Sequence, residues 1–160
     1  MGTSGGRYNP WRELRMLDEL IYEQTDLPSG DAWWVPAHNV ILMRPGLKQV
    51  QRRCALAHEL GHRELGHTGQ CNYADASRQG ARAEADADAW AARKLITVEQ
   101  LADVLVWTDD RNEAASELWV TRRILDRRLE YMHLGERLMV RDAVRRREAH
   151  DDGRAADGEV

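Results

Sequence analysis

The chain has 160 residues, 42% hydrophobic and 31% charged, an ordinary balance for one globular domain large enough to bury its own core. Its net charge of -4 offers no whole-molecule attraction to nucleic acid or an anionic membrane, and no apolar run reaches the roughly 20 residues of a spanning helix. The opening MGTSGGRYNP lacks the apolar stretch of a secretory signal, and Cys54 and Cys71 do not make a disulfide framework, so a cytoplasmic setting with reduced thiols is expected.

Residues 1–8 are expected to be disordered. Asn9-Pro10 reads as an N-cap followed by proline at the first helical position. Leu14, Met16, Leu17, Leu20 and Ile21 then recur at helical spacing, which predicts a helix ending near Thr25, before the turn at 27–30. Two short apolar runs, Ala32 to Val35 and Asn39 to Met43, flank Pro36-Ala-His and predict a small antiparallel ribbon. Pro36 favours an edge position. A helix is expected from about Leu47 to Leu65, with Gly66 as its stop, and a loop over 68–77. An alanine-rich helix should follow from about Arg78 to Ile96. Thr97-Val-Glu-Gln fits a capping box opening a third helix, to about Trp107. After a break at Asp109 to Asn112, helices are predicted over roughly 113–132, interrupted near Trp119, and 134–147, with a disordered tail over 149–160. The class is α+β, helices with a small antiparallel sheet, ending in an all-helical C-terminal part.

The chemistry concentrates in CALAHELGHRELGH, residues 54–67. On a helix, His58 and His62 lie on one face about 6 Å apart along the axis, so both imidazoles can address one ion. Glu59, on the neighbouring face, can reach a water on that ion. Leu56 and Leu60 give the helix an apolar stripe to bury. A catalytic zinc needs a third protein ligand. In the extended H-E-x-x-H-x-x-G-x-x-H pattern, glycine and histidine would fall at positions 65 and 68, where Leu65 and Thr68 stand. His67 is therefore read as a helix-end residue. The better third ligand is Glu84, in ARAEADADAWAARKLI. Asp88 shares its face and can accept a hydrogen bond from a ligand imidazole, expected to be His58. Asp86 is the competing ligand, but it points about 160° away from Asp88 on a regular helix.

ALAHELGHRELGH followed by EADADAWAARKLI resembles the ImmA/IrrE family of metallopeptidases, whose pattern is H-E-x-x-H, then E-x-x-x-(N/D)-x-(aromatic)-A-A-x-x-L-(L/I). His58, Glu59, His62, Glu84 and Asp88 match it position by position, Trp90 fills the aromatic slot, and Thr97 stands where the family usually has proline. The resemblance implies a zincin-like core over 9–108 and a helical extension over 109–148. It also implies a Zn2+ cofactor held by His58, His62 and Glu84, with Glu59 as the base in hydrolysis of a peptide bond. By resemblance the partner is a protein substrate, a helix-turn-helix repressor of a mobile element or stress response. The family's fold further implies that the strand at Asn39 to Met43 holds an extended peptide by strand addition. Tyr73, His38 and His67 are candidate donors to the oxyanion, which the sequence does not rank. The rival class is a metal-bearing module that sequesters its partner without cutting it.

AASELWVTRRILDRRLEYM (114–132) has the outline of a helix-turn-helix, with Arg122, Arg123, Arg127 and Arg128 available for phosphates. Asp126 and Glu130 interrupt that basic face, which argues against nucleic acid as a partner.

Overall fold

The computed structural model describes residues 6–68 and 78–156. The chain divides into two compact units, Met1–Leu95 and Ile96–Val160. The first contains α1 (Pro10–Arg15), β1 (Ile21–Gln24), β2 (Ala32–Val35), a 3-10 turn (Pro36–His38), β3 (Val40–Met43), α2 (Gln49–Glu64) and α3 (Arg78–Leu95).

α1 begins as expected, with the Asn9 side chain accepting from the Trp11 amide at 3.0 Å, but it stops at Arg15 instead of near Thr25. Ile21–Gln24 is a strand. The cause lies in β3, whose four residues Val-Ile-Leu-Met are apolar without alternation and mostly buried. A strand of that kind needs a neighbour on each side. β2 pairs with it antiparallel and β1 parallel, giving the order β1-β3-β2. The Ile21 amide donates to Asn39 O and the Thr25 amide to Met43 O, each at 3.0 Å. Leu14, Leu17 and Leu20 still pack against the core, so their spacing is a signal of burial more than of helix. The sheet is thus mixed, and the expected antiparallel ribbon is its β2–β3 half.

β2 is an edge strand, as Pro36 suggested. The Arg44 amide donates to Asp31 O at 2.8 Å, just beyond the register Ala32↔Met43. Bonded and non-bonded pairs alternate along an antiparallel ladder, so Trp33 and Val35 face β3. Ala32 and Trp34 turn their amides and carbonyls to the outer edge.

Ala32, Trp34, Ile41 and Met43 of the sheet close on Leu56 and Leu60 of α2. The stripe anticipated at Leu56 and Leu60 is what fixes α2 to the sheet. Beyond Glu64, Gly66 at φ +68 ends the helix, as its position suggested. The other side of α2 lies against α3, where Ala87 and Ala91 are fully buried. Small residues let the two helices approach closely, and Gly61 sets the limit. A Cβ there would sit 3.1 Å from both Ala87 O and Trp90 Cε3.

Gly61→Ala consequently sets crowding of about 1–3 kcal/mol against a helix-propensity gain of about 1 kcal/mol. The expected outcome is a net loss of about 1 kcal/mol. It would be read in urea as a lower midpoint at unchanged slope; a midpoint equal to or above wild type would refute the close-approach argument.

The second unit holds α4 (Val98–Leu105), α5 (Arg111–Leu118), α6 (Arg122–Glu130) and α7 (Leu134–Ala156). The capping box at Thr97 forms in full: Thr97 Oγ1 accepts from the Gln100 amide and Gln100 Oε1 from the Thr97 amide. The interruption expected near Trp119 is a left-handed residue, φ 56, after which Thr121 caps α6. α7 continues beyond the expected end at 147, to Ala156. Arg122, Arg127 and Arg128 of α6 are occupied locally. Arg122 pairs with Asp126 at 2.9 Å, Arg127 with Glu130 at 2.6 Å, and buried Arg128 with Glu136 at 2.8 Å.

Candidate metal centre

α2 and α3 each contribute one face to the site. His58 and His62, one turn apart, are both buried, and their Nε2 atoms face each other at 2.9 Å. Glu84, from the first half of α3, reaches between them: its Oε2 lies 3.2 Å from His58 Nε2 and its Oε1 3.3 Å from His62 Nε2. One donor atom from each of the three residues falls within 4.8 Å of the others, and this group could hold a metal ion. Asp86 is turned away, exposed and 3.9 Å from Arg82. The helix geometry that separated Glu84 from Asp86 in the sequence is realised.

Asp88, one turn after Glu84, is 2% exposed and puts Oδ1 2.9 Å from His58 Nδ1. The separation is that of a hydrogen bond although the ring N–H is not well aligned with the oxygen. Carboxylates in this position fix the tautomer of a metal-binding histidine.

Burial opposes charge on His58, but Asp88 and Glu84 outweigh it, with Glu59 adding to them, and the pKa rises to about 10. Burial likewise opposes charge on Glu84, yet contacts with His58 and His62 prevail and hold it at about 2. Burial, then the neighbouring His62, push His67 below the usual histidine range.

A four-coordinate ion sets a definite spacing for its ligands. Bonds of about 2.0–2.1 Å at tetrahedral angles put ligand atoms about 3.3 Å apart. His58 Nε2 and His62 Nε2 are 2.9 Å apart, and each has a different Glu84 oxygen at 3.2 or 3.3 Å, separations within a few tenths of that value. Glu84 Oε1 is buried without a well-formed hydrogen bond, a cost that an ion would remove. The residues fit a metal.

Glu59 is 4% exposed, and its carboxylate accepts the Trp34 amide of β2 at 2.7 Å. This contact was not legible from side-chain types, because the donor is backbone. It ties the outer edge of β2 to the residue after His58. The expectation that the strand at Asn39 to Met43 holds a peptide is corrected by the same topology. β3 is central, paired on both sides, and has no free edge. The edge beside Glu59 belongs to β2.

The three candidate oxyanion donors separate. Tyr73 lies outside the described residues. His38 is exposed in the Pro36–His38 turn and is not in the metal-donor group. His67 joins the cluster from behind, its Nδ1 2.8 Å from His62 Nδ1. Cys54, one turn before His58, is buried.

Residues 19–130 match a peptidase family described as the IrrE N-terminal-like domain. The chain belongs to this family. No curated protein and no solved structure matches it. The match runs from just before β1 to the end of α6, so it covers the sheet, both site helices and the helices that follow. Membership in the IrrE N-terminal-like family supports a metallopeptidase-type function, with His58, His62 and Glu84 as the group able to bind the metal and a protein as substrate. Among the described residues no helix is long and apolar enough to cross a membrane.

Proposed function

We propose that this chain is a zinc-dependent endopeptidase acting in the cytoplasm on a protein substrate, a repressor-type regulator of the helix-turn-helix class. The carrying observation is the convergence of His58, His62 and Glu84 donor atoms beside a buried Glu59. When bound, zinc supplies a Lewis acid for the peptide carbonyl and makes water nucleophilic near neutral pH. His58, His62 and Glu84 hold it. Asp88 orients His58. Glu59 takes the proton from the attacking water and returns it to the leaving amine. The Trp34 amide keeps that carboxylate in position, and the rest of the outer edge of β2, the Ala32 amide and carbonyl and the Trp34 carbonyl, receives the substrate as an added strand. Local pairing of Arg122, Arg127 and Arg128 supports a protein rather than a nucleic acid as partner.

The test incubates zinc-loaded protein with a candidate helix-turn-helix repressor and reads intact masses. Two fragments summing to the substrate plus one water support the proposal. Binding without any cleavage replaces it with sequestration.

A pH dependence follows from His58. Its pKa is raised to about 10, so at pH 7 the metal-free protein carries a proton that Nε2 must release before it can bind an ion. Zinc affinity should rise with pH below that value, with about one proton released per ion. Calorimetry at pH 7 in buffers of different ionisation heat measures the number; a release near zero would contradict the assignment.

A further inference from the structure

We propose that His67 is a positioning residue for the metal centre, one that fixes the tautomer of His62 through an imidazole–imidazole hydrogen bond. The inference rests on the zinc reading above and deepens it.

The backbone supplies the first observation. α2 ends with Leu65 as C-cap and Gly66 left-handed. The Gly66 amide donates to Arg63 O at 3.1 Å and the His67 amide to His62 O at 3.0 Å. That pair of bonds is the Schellman motif, in which the second residue past the cap folds back over the third residue before it. Here those two residues are His67 and His62. The motif brings one imidazole onto the other, with ring centroids 5.1 Å apart. A histidine that fails the extended zinc-ligand spacing by one residue is thus placed by a helix end.

The second observation is the contact itself. His62 Nδ1 and His67 Nδ1 are 2.8 Å apart, so one must donate and the other accept. His62 Nε2 faces His58 and Glu84 and is the atom that meets the ion. A neutral imidazole that binds through Nε2 carries its proton on Nδ1. The direction is then forced: His62 Nδ1–H donates and His67 Nδ1 accepts. Asp88 plays the same part for His58. Each ligand histidine therefore has a dedicated acceptor, one a carboxylate from α3, the other an imidazole from the cap of α2.

The test compares His67→Leu with His67→Asn, whose Oδ1 can take the place of Nδ1 as acceptor. Zinc alone is the probe, titrated against a chromophoric chelator, and the His62 ring is followed by nitrogen-15 NMR. His67→Leu should weaken zinc by about 10–100-fold, the usual loss for an outer partner of a ligand. It should also allow the metal-free His62 ring to populate its Nε2–H tautomer. His67→Asn should stay within about threefold of wild type, with His62 held as Nδ1–H. The proposal is overturned if His67→Leu binds zinc as wild type does with an unchanged tautomer, or if Asn weakens binding as much as Leu. A wild-type chain that binds no zinc sinks the zinc reading instead, a result distinct from either.

Discussion

Glu59→Gln is expected to keep its metal and lose peptide hydrolysis by about three orders of magnitude. A positioned general base contributes about 10²–10⁴-fold, and the proposed mechanism uses this carboxylate as base and then as acid in the same turnover. Glutamine is nearly isosteric and retains one carbonyl oxygen, so it can still accept the Trp34 amide that Glu59 accepts at 2.7 Å. The fold and the zinc stoichiometry should therefore stay at wild-type levels while the rate falls. Fragment mass over time, beside zinc content per chain, separates the two effects. A variant within tenfold of the wild-type rate would remove Glu59 from the chemistry. A variant that loses zinc would make it structural.

The second large effect concerns the metal alone. Glu84→Ala takes away the only carboxylate among the three donors and leaves two imidazoles, which do not hold a catalytic zinc. Affinity should fall by more than about 100-fold, beyond the loss expected from an outer partner such as Asp88 or His67. Asp86→Ala, on the same helix but exposed beside Arg82, should leave affinity unchanged. Competition with a chelator measures both. Equal losses from the two substitutions would show that acidic charge on α3, not a ligand at position 84, attracts the ion.

What the sequence discloses depends on whether a contact is written in side chains or in backbone. α2 and α3 are legible because their periodicity is long and their polar residues stand at i, i+4 spacing, which fixes faces without tertiary information. The same rule separates Glu84 from Asp86. The cap at Thr97 and the break at Trp119 are local and equally readable. β1 is not: Leu14, Leu17 and Leu20 do face the core, but the chain leaves the helix at Met16 because β3 needs a second neighbour, a demand from elsewhere in the fold. The unalternating Val-Ile-Leu-Met of β3 was the available sign of a central strand. The Trp34 amide under Glu59 left no sign at all. Gly61 did leave one, since a glycine inside a helical pattern is costly unless something packs against it. His67 stands at the helix end, as its failed ligand spacing suggested, but its contact with His62 was not legible there and follows from the left-handed turn at Gly66.

The site works through a division between rigid elements. In the proposed mechanism α2 supplies two imidazoles and the base, α3 the carboxylate ligand and the orienting Asp88, and the sheet the amide bonded to Glu59. The close packing at Gly61 sets the spacing of the first two. A crystal of zinc-soaked protein, with anomalous differences collected at the zinc edge, tests this arrangement most directly. The predicted result is one zinc peak about 2.0–2.2 Å from His58 Nε2, His62 Nε2 and a Glu84 oxygen. A zinc peak coordinated elsewhere, or none between these three side chains, would contradict it.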